Sequence, residues 1–433
     1  MRWKSDEFSK LGWCLCCLGA LGWLGLPCLG QSPSHSLTDL QKQADAFLIA
    51  KQFPEAIDTY RQALKVAPEN EKTAISLARA YEGVYNHDEA RRSLREASAK
   101  HPKSALALIE LGRLDIKLLH YDQAIEDLEE ALRREPTSAA AHLDLGIAYQ
   151  AKGETGKARV EFDQAIKRDP QSASSYYFRG MLLADTDEND LAYADASKSH
   201  ELDPTSVPAR VLLAKVATRL HKCDQAVALL KPLADDPGGE IENIYLLSRA
   251  YQCAGATELA RQAQDAFERR SKQAETERNR KMDADHLAVQ AEEFARNNQL
   301  APALDALSEA LEKDPSNGAA HAMLAKIEFS RGNVGKADTE IKAALNGNPY
   351  NPDYLYVLGK VLAKQGDSKG ALDAFQKTVL VDPQESDAYY EMAEIYAAEG
   401  NRAGAVEKMK MAVKLSPEDA EYKRALEDLQ KQR

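Results

Sequence analysis

Residues 139–172 read AAAHLDLGIAYQAKGETGKARVEFDQAIKRDPQS. Leu143, Leu145 and Tyr149 give the first half an apolar side, and Ala158, Phe162 and Ala165 do the same for the second half. Apolar residues three and four apart mark amphipathic helices. Gly153 sits between the halves, and Asp169-Pro170 ends the second, because proline lacks an amide hydrogen and disfavours helix before it. The spacing therefore predicts two short helices joined by a tight turn.

The closing proline recurs every 34 residues, at Pro68, Pro102, Pro136, Pro170 and Pro204, and again at Pro315, Pro349, Pro383 and Pro417. Twelve residues before each stands an alanine, from Ala56 and Ala90 to Ala371 and Ala405. Eight before stands a larger residue, such as Tyr60, Leu94, Leu128, Phe162, Leu307, Ile341, Phe375 and Met409, with Ala196 breaking the rule. Twenty-four before comes a small one: Ala44, Ala78, Gly112, Gly146, Gly180, Ala291, Ala325, Gly359 and Ala393. A fixed period of this length is the signature of stacked repeats, in which each unit contacts only its neighbours. That is also the economical use of 433 residues, too many for one compact core.

The pattern resembles the tetratricopeptide repeat family, whose unit is a 34-residue helix–turn–helix with small, large and proline positions in this order. The resemblance covers about 37–417. It implies an all-α fold, a right-handed superhelical solenoid of about eleven tandem helix–turn–helix units. Seven units are expected over 37–267 and four over 284–417, with a capping helix over 418–433 whose Tyr422, Leu426 and Leu429 face the last hairpin. The register slips between the two sets. The sixth unit closes one residue early at Pro237 and carries Pro208 and Pro232 in helical stretches, which should loosen it. The seventh has no closing proline. Its second helix runs into the charged segment 268–283, read as a solvated extension of about two turns and as a hinge between the arms.

Residues 1–30 form a leader. Arg2, Lys4 and Lys10 precede the apolar run from Leu11 to Gly30, and 31–36 is a short polar linker. These are the parts of a signal peptide cleaved after Gly30. An uncleaved membrane anchor is the alternative, since twenty apolar residues can just span a bilayer. The chain is accordingly expected to be exported, periplasmic or extracellular, and membrane-associated only if the leader is retained. Its net charge of −12 repels a phosphate backbone, so nucleic acid is not an expected partner.

The chain contains no P-loop, nucleophile elbow, dinucleotide fingerprint or zinc signature, so neither catalysis nor a cofactor or metal is expected. Asp185, Asp187 and Asn189 have the opening spacing of a calcium loop. Asp190 replaces its glycine, however, and Ala196 its bidentate glutamate, which leaves a solvated acidic turn. His142 and His321 hold equivalent first-helix positions and read as packing or surface residues. Four of the six cysteines lie in the leader. The other two, Cys223 and Cys253, fall near the turns of consecutive units. They are a candidate disulfide in an oxidising compartment, or else two buried thiols.

In the family the sequence resembles, first helices line a concave groove that holds ligands. Carried onto this chain, that places Arg79, Arg113 and Lys117, then Lys215, Arg219 and Arg249, then Lys326, Lys360 and Lys364 on groove-facing positions. Tyr177, Tyr245, Tyr356 and Tyr390 share a second groove-facing position, whereas Gln376 on a second helix is expected to face outward. Tyrosine offers contact area and a hydroxyl at low entropic cost, and cations favour acidic segments or a terminal carboxylate. The same residues also suit the solvated side of any amphipathic helix. The chaperone-tail clamp of one subgroup is missing, because Gln41, Asp45, Ile75 and Arg79 stand at its positions. The expected function is a scaffold or adaptor for other proteins, with a membrane-tethered structural subunit as the alternative.

Overall fold

The structure, a computed structural model, describes residues 36–431. The leader therefore lies outside the described residues. Twenty-two helices and no strand occur among the described residues; they form eleven hairpins and a terminal cap, one long helix serving two hairpins. The first four hairpins are α1 (Leu37–Ile49) with α2 (Phe53–Val66), α3 (Glu71–Gly83) with α4 (His87–Lys100), α5 (Leu106–Lys117) with α6 (Tyr121–Arg134), and α7 (Ala139–Ala151) with α8 (Thr155–Arg168). Then come α9 (Ala173–Asp185) with α10 (Asn189–Leu202), α11 (Val207–Arg219) with α12 (Cys223–Ala234), and α13 (Ile241–Cys253) with the long α14 (Thr257–Arg296). The end of α14 pairs with α15 (Leu300–Lys313). The series closes with α16 (Gly318–Ser330) and α17 (Val334–Gly347), α18 (Pro352–Gln365) and α19 (Ser368–Val381), α20 (Ser386–Ala398) and α21 (Arg402–Leu415), and the cap α22 (Ala420–Lys431).

The registers of the sequence have direct physical causes. Within a hairpin the small residue of the first helix meets the large residue of the second. A Cβ built on Gly146 would fall 2.5 Å from the Phe162 ring, and one on Gly359 would fall 2.5 Å from Phe375. Phe162 and Phe375 are fully buried at those contacts, as is Leu128 where it meets Gly112. The fifth unit, with Ala196 in the large position, brings Gly180 close to the partner backbone instead. A Cβ there would stand 3.4 Å from the Ala196 amide nitrogen. Each turn places one residue in the left-handed region, seventeen before the proline in the regular units. Glycine fills it in five units, as at Gly153 with φ 77°, and side chains such as Tyr85 and Leu119 fill it in others. Glu154 N then donates to Tyr149 O at 2.9 Å and Gly153 N to Gln150 O at 2.9 Å, which satisfies the carbonyls left over at the helix end. The proline loops start the next hairpin with side-chain caps: Asn70 accepts from Thr73 N and Ser138 from Ala141 N.

The irregular region departs from expectation in two ways. Pro208 lies in the first turn of α11, where its missing amide is not needed, so it does not loosen that helix. Of these two prolines, Pro232 is the one in a helix interior, near the end of α12. The charged segment 268–283 is helical, but it does not end as a two-turn extension. It is the middle of the 40-residue α14, which supplies the second helix of the seventh unit and the first helix of the eighth. Ala260 is buried at one end and Ala284, Ala288 and Ala291 at the other, with no fully buried residue between Ala260 and Ala284. Arg270 donates to Pro237 O at 2.9 Å and Arg280 to Lys313 O at 2.9 Å, so the bare stretch is braced at both ends.

Far apart in sequence, the two ends of the array meet. Tyr350, in the loop before α18, donates its hydroxyl to Lys51 O at 3.0 Å, and its ring lies 5.8 Å from that of Phe53. Asn86 Nδ2 donates to Leu380 O at 2.6 Å, and Lys377 Nζ stands 3.8 Å from Glu55. Leu380 and Val381 pack against the core of the first units. Beside this contact lies a hollow of about 690 Å³, lined among others by Asp58, Arg61, Asp373 and Gln376. Gln376 is solvent-exposed, as its second-helix position predicts, but it faces this seam.

Candidate protein-binding face

The first helices share one face, and their polar side chains meet along it. Arg79 Nη2 bonds Glu110 at 2.8 Å, and Lys117 Nζ reaches back to Glu82 at 2.8 Å. Arg113 Nε bonds Asp144 at 2.7 Å while its Nη1 bonds Glu110 at 3.0 Å. Lys215 pairs with Glu242 and Lys360 with Glu391, each at 2.9 Å. These cations thus link neighbouring first helices rather than forming an uncompensated positive strip. Arg219 Nη1 donates to Ala184 O at 2.6 Å and so caps the end of α9. Arg249 donates to the Tyr245 hydroxyl at 3.2 Å. Lys326 and Lys364 make no direct ion pair among the described residues.

Two hollows open on this face. The first, of about 470 Å³, lies across α9, α11 and the start of α13, with Tyr177, Met181, Val211, Lys215, Arg219 and Glu242 among its walls. The second, of about 290 Å³, lies between α16 and α18 and is lined by Lys326, Phe329, Asp353, Tyr356, Val357 and Lys360. Each has an apolar floor and a charged rim, the usual composition of a site that buries an apolar side chain and orients it by a few polar contacts. In the second, Lys360 lies 5.7 Å from the Tyr356 ring centroid, and burial pushes the Tyr356 hydroxyl well above its ordinary range.

Of the residues predicted from sequence, the structure brings Tyr177, Lys215 and Arg219 together in the first hollow, and Lys326, Tyr356 and Lys360 together in the second. Arg79, Arg113 and Lys117 belong to the ion-pair ladder. Tyr245 and Arg249 pair with each other, and the Tyr245 ring lies 5.4 Å from Phe267. Tyr390 stacks on Tyr422 of the cap at 5.0 Å and bonds Glu421 at 3.2 Å, with its hydroxyl pushed up to about 12 by burial. Sequence reading missed the apolar floors, Met181, Val211, Phe329 and Val357, and the carboxylates that answer the cations. Aligning the units would have shown the latter: Glu110, Asp144 and Glu391 all stand twenty-six before their closing proline.

Cys223 begins α12 and Cys253 ends α13. Their Cα atoms are 5.4 Å apart and the pair is joined as a disulfide on the turn edge of the array. His142 and His321 each bond a second-helix glutamate of their own unit, Glu161 and Glu340, at 2.7 Å. Asp187 is the left-handed turn residue of its unit and Asn189 starts α10, so the acidic run is built as a turn.

Burial pushes the Asp144 carboxyl up to about 6, outweighing the Arg113 pair. Desolvation wins because Arg113 is itself 37% exposed and shares its charge with Glu110. A folded carboxyl titrating near 6 against an ordinary value of 3.8 binds protons between those limits that the unfolded chain does not. Its stabilising contribution therefore grows as pH falls through 6 and is lost as pH rises. Comparing wild type with Asp144→Asn by thermal unfolding at pH 7 and pH 5 should show the wild type gaining about 1 kcal/mol on the variant at the lower pH. A constant difference would contradict this assignment.

Sequence models described as tetratricopeptide repeat match residues 47–109, 120–185, 294–361 and 356–420, more than half of the chain. No curated protein matches it by sequence. Among solved structures, MamA is 25% identical over 37% of this chain and 94% of its own, with a TM-score of 0.33. PilF of Pseudomonas aeruginosa is 18% identical over 48% of this chain and 94% of its own, with a TM-score of 0.43. A thermophilic repeat protein of Thermus thermophilus is 21% identical over 42% of this chain and 99% of its own, with a TM-score of 0.35.

Proposed function

Since the chain belongs to the tetratricopeptide repeat family, we propose that it is a scaffold that grips an extended segment of a partner protein along its first-helix face, outside the cytoplasm. The observation that carries this reading is the pair of hollows on that face, where apolar side chains at the edge of the unit cores, Met181 and Val211 in one and Phe329 and Val357 in the other, still line open space. The second hollow suits an apolar side chain followed by a carboxylate, which Lys326 can meet without breaking an existing ion pair. A scaffold of this kind needs no chemical step. The leader pattern supports work in assembling an envelope or secretion complex. The second reading, a membrane-tethered subunit of such a complex, holds if the leader is retained, which the mass of the native N-terminus decides.

A photo-crosslinking residue at Tyr177 or Tyr356, with a control at exposed Lys167 on α8, tests the site in the native envelope fraction. Adducts at both tyrosines and none at the control are expected. Equal yields at all three positions, or none at the tyrosines, would remove the first-helix face as the binding surface.

A further inference from the structure

The seam between the two ends differs in kind from every other interface of the array. Hairpins stack through side chains that are completely buried, such as Leu128, Phe162 and Phe375. The seam rests instead on two hydrogen bonds, one tilted ring pair, an ion pair whose members are 27% and 43% exposed, and the packing of the half-buried Tyr350, Leu380 and Val381 against the first units, all beside an open polar hollow. Lys377 also holds Asp373 at 2.9 Å, so its attraction to Glu55 is divided. Contacts that are few and for the most part half-buried are the first to open in a native protein, and the charged part weakens with salt. What sustains them is that they close within one chain, at high effective concentration. The residues joined are 294 and 299 apart, and the path between them runs through α14, whose middle has no buried side chain to resist bending.

We propose that this contact is a latch. It opens as a unit without unfolding any hairpin, α14 bends as it does so, and the two hollowed stretches of the first-helix face then change their separation. The latch depends on seam residues only; its bearing on partner binding rests on the function proposed above, and the test does not involve a partner.

The hydrogen bond at Asn86 can be removed cleanly. Asn86 Oδ1 also caps α4 by accepting from Glu89 N at 3.1 Å. Asn86→Asp keeps that acceptor but loses the amide that reaches Leu380 O. Tyr350→Ala removes the ring and hydroxyl from the other side. The full chain would be treated with a water-soluble carbodiimide, which joins a lysine to a carboxylate at contact distance, as an equal mixture of isotopically light and heavy protein. A Lys377–Glu55 link within single chains is expected in wild type. In the N86D/Y350A double variant the link should be lost and the maximum dimension in X-ray scattering should increase, with helix content unchanged. Raising the salt should weaken the wild-type link in the same way. The proposal is overturned if the link persists in the variant, if it joins light chains to heavy ones (a contact between copies), if the maximum dimension stays the same, or if losing the link costs helix content in the variant or at high salt in wild type.

Discussion

Phe162→Ala should lower the local stability of the fourth and fifth units by about 3–5 kcal/mol, the range for truncating a buried aromatic in a packed core. Phe162 is fully buried. Its ring presses on Gly146 of its own hairpin and stacks 6.2 Å from Phe178 of the next. One side chain therefore holds the hairpin closed and docks its neighbour, and in a one-dimensional array both terms are lost together. The partner substitution probes the same contact from the other helix. Gly146→Ala should gain roughly 1 kcal/mol from helix propensity alone. The added Cβ would meet the Phe162 ring at 2.5 Å, and overpacking of that kind costs about 1–3 kcal/mol, so a net loss is expected. The double variant Gly146→Ala/Phe162→Leu recreates the pair found as Ala78 with Leu94 and should be markedly less unstable than the sum of its parts. Hydrogen exchange across 139–202 reads these effects locally. A stabilising Gly146→Ala, or strict additivity, would mean the two positions are not interlocked.

Reducing the Cys223–Cys253 disulfide should cost about 3–4 kcal/mol, the chain-entropy value for a closed loop of this size. The cysteines are 30 residues apart and tie the second helix of the sixth unit to the first helix of the seventh. The array is otherwise weak there, because α12 has only 12 residues and carries Pro232 near its end. The loss should therefore appear first as faster hydrogen exchange over 207–253, with the outer units little changed. Cys223→Ser/Cys253→Ser should match the reduced wild type and be insensitive to reductant. If reductant leaves exchange over 207–253 unchanged, the thiols are free in the native protein.

What the sequence made legible follows the distance over which each feature is determined. The hairpins, their turns and their stacking are set within one 34-residue period, by pairs such as Gly146 with Phe162, so the proline and alanine registers expose them. The through-helix α14 was half legible. The absence of glycine and proline over 268–283 predicted helix, and the proline register placed a new unit from 284 with Ala291 in its small position; that no turn separates the two, so that one helix serves both units, was not read. The ion-pair ladder was hidden because each cation was read without the carboxylate one unit away. The seam was not legible at all. Tyr350, Asn86 and Lys377 meet their partners through the accumulated curvature of the whole array, and no local pattern encodes that.

The measurement that bears most directly on the scaffold reading is hydrogen exchange of the full chain with and without the client identified by crosslinking. New protection is expected over α9, α11, α16 and α18, helices that line the two hollows, with the second helices α4, α6 and α8 unaffected. Protection on those second helices, with α16 and α18 unchanged, would contradict it.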